Sequence, residues 1–351
     1  MKGRPMSSRL QSEILEQPDG LNRLLEAERA NFESLARVIR ERNPRFVMLV
    51  ARGTSDNAAR YSQYLFSTIN GLPAALATPS SFTLYQQPPR LNDALVIAIS
   101  QSGQSPDIIT VIKEGRRQGA LTLALTNVPG SPLAAAAEYN VALHAGQEHS
   151  VAATKTYTAS LMALAMLSTA LANDSLRMDQ LAQVPKWVEA VTARCKETID
   201  AAERYAYIQY CVVASRGYNY ATAYEIALKL KELTYVIAEP YSSADFQHGP
   251  LALVEHNFPV VAIVPEGALA PELVGFFRQL KERGADLIVI SALEEALQLA
   301  QTPLPLPASI PEWLSPIVAV VPGQMFALGL TLAKRFDPDH PRSIRKVTLT
   351  V

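Results

Sequence analysis

Six residues between an apolar run, LVIAI (95–99), and a helix opening on Pro106 have the composition of an anion cradle: Ser100, Gln101, Ser102, Gly103, Gln104 and Ser105. The free N–H groups and positive dipole end of a helix beginning there face the carboxyl edge of a sheet. Three serine hydroxyls add donors. Because the dipole contributes only about 0.3–1 kcal/mol, or about 2 kcal/mol when partly buried, the hydroxyls and backbone amides must carry most of the binding. A single glycine satisfies neither the dinucleotide fingerprint nor the Walker loop, so the turn suits a monophosphate and disfavours a nucleotide. Serine serves equally as helix cap and turn former, and this segment alone leaves both roles open. A second hydroxyl-bearing turn, Arg52-Gly53-Thr54-Ser55-Asp56-Asn57, follows another apolar run (46–51). Neighbouring parallel strands would set Thr54 and Ser55 beside the serines at a topological switch point, with Ser55 or Asp56 as an N-cap the plainer alternative.

In the second half, Glu225, Lys229 and Glu232 stand at i, i+4 and i+7 and so share one helix face. Such spacing ordinarily makes a solvated ion-pair ladder. Here Ile226, Ala227, Leu228, Leu230 and Leu233 leave the helix apolar over much of its circumference, which would place the charges along a cleft. A carboxylate held beside a lysine in a cleft is a candidate proton shuttle, burial and the neighbouring charge acting on its proton affinity in opposite senses. His248, in the chain reversal Phe246-Gln247-His248-Gly249-Pro250, is the kind of loop histidine that does acid–base work, and equally the kind that satisfies a turn. Lys346, in PRSIRKVTLTV near the end of the sequence, carries no pattern of its own.

Positioning these residues calls for an α/β framework. The first forty or so residues read as two amphipathic helices broken near Gln17-Pro18-Asp19-Gly20. Apolar strands at 46–51, 74–77, 95–99, 121–125 and 141–143 then alternate with helices at 57–66 and 106–118, and a long helix covers 152–172. Strands apolar throughout imply a parallel sheet covered on both faces. The second half repeats the first at an offset of about 164 residues: Arg52-Gly53 matches Arg216-Gly217, Ser102-Gly103 matches Glu266-Gly267, and Gly119-Ala120 matches Gly284-Ala285. The chain therefore divides into a helical lead-in (1–42), a first doubly wound unit (43–172), a helical connector (173–204) and a second doubly wound unit (205–351). In the second copy the serine turn has become Pro265-Glu266-Gly267-Ala268, so a phosphate site is expected in one half only.

Composition narrows the partners. With 351 residues and 48% hydrophobic, the chain can fill two ordinary cores. Lys and Arg number 32 against 33 Asp and Glu, with no long single-sign run, which argues against a nucleic-acid or membrane-surface binder. A charged fraction of 19% points to hidden surface, either in two large cores or in a subunit interface, and an oligomer is expected. Cys195 and Cys211 lack metal-ligand spacing and suggest no disulfide framework, as in a reducing cytoplasm. The opening residues hold no apolar leader segment, and the most apolar run, 157–172, is too short and too polar to span a bilayer.

Taken in order, ARGTSDNAARY, ISQSGQSPDII, NVPGSPL, AGQEHSVAATKTY, EIALKLKELTYVIAEPYSSADFQHGPLALV and KVTLTV resemble the isomerase half of glucosamine-6-phosphate synthase, as does the opening EILEQPDGL. The resemblance covers nearly the whole sequence. It implies two tandem sugar isomerase domains, each a three-layer α/β/α unit, binding a hexose 6-phosphate or its amino derivative. It further implies that Ser55, Ser100, Gln101, Ser102 and Ser105 hold the phosphate with Thr54 beside them, and that Glu232 moves the proton between C1 and C2 with Lys229 in support. His248 would open the sugar ring from the partner subunit of a homodimer with shared sites. Lys346 would form a Schiff base with the open-chain ketose or otherwise act on its carbonyl, and Val151 would lie against the sugar. No metal, nucleotide or other cofactor is implied.

Three departures from the family refine this. The glutaminase half with its cysteine nucleophile is not in the sequence; Gln247 and Arg345 stand where the family has lysine and alanine; and Arg52 stands where the synthase often has cysteine. These features are similar to stand-alone relatives that deaminate glucosamine 6-phosphate, a group also similar to deglycases of amino-acid-substituted sugar phosphates. The expected reaction is conversion of glucosamine 6-phosphate to fructose 6-phosphate and ammonia. The alternatives are an ammonia-dependent synthase, a plain ketose/aldose isomerase, or a non-catalytic sugar-phosphate sensor. The joint presence of Glu232, His248 and Lys346 favours an enzyme, and the lack of a helix-turn-helix module or basic patch removes the DNA-binding form of a sensor.

Overall fold

The structure, a computed structural model, describes residues 8–346 and separates into two bodies. The first is built from Asp19–Glu148 and Lys155–Gln183, together with residues 345–346. Its sheet joins β1 (Phe46–Val50), β2 (Ala74–Leu76), β3 (Ala94–Ser100), β4 (Leu121–Thr126) and β5 (Tyr139–Ala142) in the order β2-β1-β3-β4-β5, all parallel. Every residue of β3 and β4 is buried, so both faces of the sheet are covered, and this is why these strands read as unbroken apolar runs. On one face Val96, Ala98 and Ala124 pack with Ile108, Val111 and Ile112 of the helix Pro106–Arg117. The strand order reverses between β1 and β3, and the turns that leave their carboxyl ends are the two hydroxyl-bearing turns.

The second body comprises Val184–Ile344, residues 8–18, and the short insert His149–Thr154. Its sheet joins β6 (Tyr210–Ser215), β7 (Ile237–Ser242), β8 (Pro259–Val264), β9 (Asp286–Ser291) and β10 (Thr302–Pro305) in the order β10-β9-β8-β6-β7, again all parallel. Counted from the first strand of each body, this is the same permutation, as duplication requires. The three glycine pairs that betrayed the repeat all sit at positive φ: Gly53 and Gly217 at 54° and 63°, Gly103 and Gly267 at 63° and 142°, Gly119 and Gly284 at 84° and 96°. Glycine recurs at these positions because the turns leaving and entering the strands need a left-handed residue.

Two local readings are corrected. The lead-in breaks at Glu16, and Gln17–Arg42 is one continuous helix; Pro18 falls in its first turn, where a missing N–H costs nothing. The most apolar helix is not 155–172 but Ser315–Ala333, long and apolar enough to cross a membrane by length and composition, yet with 89% of its apolar window buried inside the protein. It is a core helix, packed on the helices Val184–Thr192, Cys195–Ala201 and Tyr220–Thr234.

Candidate active site

In the first body the serine turn is folded around its glycine. Gly103 N donates to Ser100 Oγ (3.1 Å) and Gln104 N to Ser102 Oγ (3.4 Å). A Cβ on residue 103 would sit 2.1 Å from Ser131 Oγ and 2.5 Å from Ser131 Cβ, so the turn closes only over glycine. Ser105 occupies the N-cap position of Pro106–Arg117, yet its hydroxyl caps no amide of that helix among the described residues. In the neighbouring turn the N-cap is Gly53, not Ser55 or Asp56, and Thr54, Ser55 and Asp56 form the first helical turn. The plain capping roles open at sequence level are thus not what Ser105 and Ser55 do. Burial pushes the Asp56 carboxyl up, with Arg60 and Arg52 pulling it back.

Arg52 joins the two turns. Its Nε donates to Asp107 Oδ2 at 2.7 Å, and Asp107 is fully buried at the start of the helix after the serines, while the guanidinium is about half exposed. The residue standing where the synthase often has cysteine therefore brings a cation to the edge of the serine turn, something spacing alone did not suggest. Beyond Gln101 opens a cavity of about 590 Å³, whose lining includes Gln101, Asn127, His144, Gln147 and Glu148, a volume usual for small-molecule sites. Its far wall is a built loop: Asn127 Nδ2 donates to Gly146 O (2.7 Å), Asn127 Oδ1 accepts from Ala145 N (3.1 Å), and His144 Nε2 meets Glu28 Oε1 at 2.7 Å. At its end Glu148, 5% exposed, forms an ion pair with Lys346 (Nζ to Oε2, 2.7 Å). Glu148 went unnoticed in the sequence because a lone glutamate in a loop has no period and no motif chemistry to mark it.

In the second body the helix Tyr220–Thr234 carries a buried charge line. Lys229 is 1% exposed and contacts Glu225 Oε1 at 3.4 Å and Glu232 Oε2 at 2.6 Å. Glu225 is fully buried, whereas the Glu232 side chain is 25% exposed. The ladder expected from i, i+4, i+7 is present, but inside the protein, and Glu232 is its one solvent-reached member. His248 ends the short helix Ser243–Gln247, its backbone N bonded to Asp245 O and its ring exposed. Val151 lies in the insert His149–Thr154, which is held by donation from His149 N and Ser150 N to the buried carboxylate of Glu13.

The second body's counterpart of the serine turn is already occupied. Ala268 N donates to Glu312 Oε2 at 2.7 Å, and a Cβ on residue 267 would come within 2.1 Å of that same oxygen. The carboxylate native to the turn, Glu266, accepts from Ser309 N (2.6 Å). No group of three or more histidines, cysteines or acidic residues poised to hold a metal ion occurs among the described residues.

Comparison with known proteins agrees with the resemblance carried by the motifs. A model of the SIS domain matches residues 42–170 and 211–334. A glutamine–fructose-6-phosphate aminotransferase (isomerizing) of Thermococcus kodakarensis is 37% identical over 344 residues, covering 95% of this chain and 56% of that protein. The chain spans about half the length of the curated relatives it matches. Among solved structures, the C-terminal domain of glucosamine-fructose-6-phosphate aminotransferase from Francisella tularensis aligns with a TM-score of 0.88 at 27% identity, covering 96% of this chain and 99% of that one. A candidate phosphosugar isomerase from Silicibacter pomeroyi aligns at 0.85 and 33% identity, covering 95% and 100%.

Proposed function

Since the chain belongs to the SIS domain family, we propose that it binds a hexose 6-phosphate and moves a proton between C1 and C2 of the open-chain sugar, with an amino sugar as preferred substrate. The observation that carries this reading is the first body's cavity, lined by Gln101 of the serine turn and by Glu148, which is paired with Lys346. A phosphate held by Ser55, Ser100, Gln101, Ser102 and Ser105, with Thr54 and Arg52 beside it, anchors one end of a six-carbon chain and leaves the carbonyl end to be met by Lys346. Glu232 is assigned the proton transfer, being the solvent-reached carboxylate of a buried charge line whose lysine holds it in place. The family resemblance assigns Val151 to the sugar. The exposed His248 suits ring opening in the partner's site, in a homodimer that shares its sites.

With glucosamine 6-phosphate, removal of the C2 proton and return of a proton to C1 leaves an imine at C2. Water attacks that carbon, the C–N bond breaks, and fructose 6-phosphate and ammonia leave. Water is far more concentrated than free ammonia, which is mostly protonated near neutral pH, so mass action favours hydrolysis over amination. A second reading, formation of the amino sugar from the ketose, is favoured by the aminotransferase names of the relatives. One panel separates them: ammonia release from glucosamine 6-phosphate, amino-sugar formation from fructose 6-phosphate with ammonium, and solvent deuterium exchange into each sugar. Deamination predicts release as the readily measured activity. Glu232→Gln should abolish exchange, a loss of about 10²–10⁴-fold on the usual scale of acid–base catalysis, while hexose 6-phosphate still binds. Efficient interconversion of unsubstituted hexose 6-phosphates with no ammonia from any 2-amino sugar phosphate would overturn the deaminase reading.

A further inference from the structure

We propose that Glu148 is a catalytic residue, the acid–base partner of Lys346 in forming the Schiff base. The inference rests on the reading of Lys346 as the amine that meets the sugar carbonyl. Glu148 is set for this by three observations. Its side chain is fully buried, and a carboxylate that far from water is tolerated only when paired and hydrogen-bonded. It is oriented from behind by Thr156 at the start of the helix Lys155–Ala172, whose backbone N donates to Oε1 (3.1 Å) and whose hydroxyl donates to Oε2 (2.7 Å). In front, Oε2 meets Lys346 Nζ at 2.7 Å, and Glu148 lines the same cavity as Gln101 of the serine turn.

The chemistry asks for such a group. A lysine at neutral pH is an ammonium ion and cannot attack a carbonyl until a base within hydrogen-bond reach, about 2.6–3.2 Å, takes its proton. Glu148 stands at that distance. It accepts one proton from the ammonium; the neutral amine adds to the ketose C2, and an amine proton passes to the carbonyl oxygen to give a carbinolamine. Glu148 then returns its proton to the departing hydroxyl, which leaves as water as the C=N bond forms. Ketose and ammonium thus become iminium and water, and Glu148 ends as it began, a carboxylate. A residue that merely tethered the tail would need the ion pair but not the proton transfer.

The test is reductive trapping. The full chain is incubated with fructose 6-phosphate and cyanoborohydride, and the alkylated Lys346 peptide is followed by mass, with sugar affinity measured separately by calorimetry. Wild-type protein should be trapped at Lys346, and Lys346→Ala should not. Glu148→Gln should slow trapping by about 10²-fold or more, the scale of general acid–base catalysis, with affinity for fructose 6-phosphate retained, and formate should restore part of the rate to Glu148→Ala. Trapping at the wild-type rate in Glu148→Gln, or a slow rate in Glu148→Ala that formate leaves unchanged, overturns the proposal while leaving Lys346 in its role. Failure of the wild-type chain to be trapped overturns the reading of Lys346 beneath it. Should Glu148→Gln fail to fold, Glu148→Asp carries the test: its shortened carboxylate withdraws from the amine, so trapping slows at unchanged affinity, and an undiminished rate refutes the assignment.

Discussion

Replacing Gly103 with alanine isolates what the serine turn demands of its backbone. Two costs add at this position. A φ of 63° is left-handed, which costs an L-residue about 1–2 kcal/mol. The new methyl would also lie 2.1 Å from Ser131 Oγ and 2.5 Å from Ser131 Cβ. Relieving such overlap costs about 1–3 kcal/mol. Ser131 can yield only by giving up its bond to Ala134 N, the N-cap of the helix Pro132–Ala136, a further loss of about 1 kcal/mol. The sum, roughly 3–6 kcal/mol, is a large part of the 5–15 kcal/mol that ordinarily holds a domain. Gly119→Ala is the control, because residue 119 has φ 84° in the same body but nothing within 4 Å of its added methyl among the described residues. Urea unfolding of both variants should then show Gly103→Ala the less stable by about 2–4 kcal/mol, the steric and capping part alone. Calorimetry should show sugar-phosphate affinity falling in Gly103→Ala and not in Gly119→Ala. Equal destabilisation of the two would refute the close approach of Gly103 to Ser131, and unchanged affinity would refute the turn as a phosphate cradle.

Ser102→Ala and Ser105→Ala should each weaken a phosphorylated sugar by about 1–3 kcal/mol, the scale of a hydrogen bond to a charged group, with little effect on an unphosphorylated sugar; equal weakening of both ligands would make the serines structural. Inactive His248→Ala and Glu232→Gln chains, mixed under conditions of proven subunit exchange, should recover activity through hybrid dimers, and no recovery would confine each site to one chain. Burial raises the Cys211 thiol from 9.0 to about 12, so at pH 8 it should resist iodoacetamide in the folded protein and react on unfolding. Rapid native alkylation would contradict its burial.

The α/β framework was legible because its signals are local and redundant. β3 and β4 are buried on both faces and read as apolar runs, and three glycine pairs at an offset of about 164 residues disclosed the duplication. A boundary slipped where a rule has an exception: Pro18 looked like a helix breaker but sits in a first turn that tolerates it. The serine turns and the Glu225–Lys229–Glu232 line were visible as patterns, and the motif resemblance gave them roles. What stayed hidden depends on distant pairings. Arg52 with Asp107, Glu148 with Lys346 and Ala268 with Glu312 are separated by 55, 198 and 44 positions, and no periodicity connects such partners.

The pairing of Glu312 with the Gly267 turn gives the duplicated fold an asymmetric arithmetic. A carboxylate tethered within the same body faces its donor at an effective concentration far above that of any dissolved anion, since intramolecular reactants behave as though present at molar levels or beyond. Dissolved phosphate would not outcompete a resident of that kind, so if the serine turn of the first body is the phosphate cradle, its second copy is closed by the Glu312 contact and not merely weakened by lost hydroxyls. On the proposed phosphate site in the first body, each chain would then bind one sugar phosphate, and the second copy's strand-to-helix turn would serve the stability of its own body.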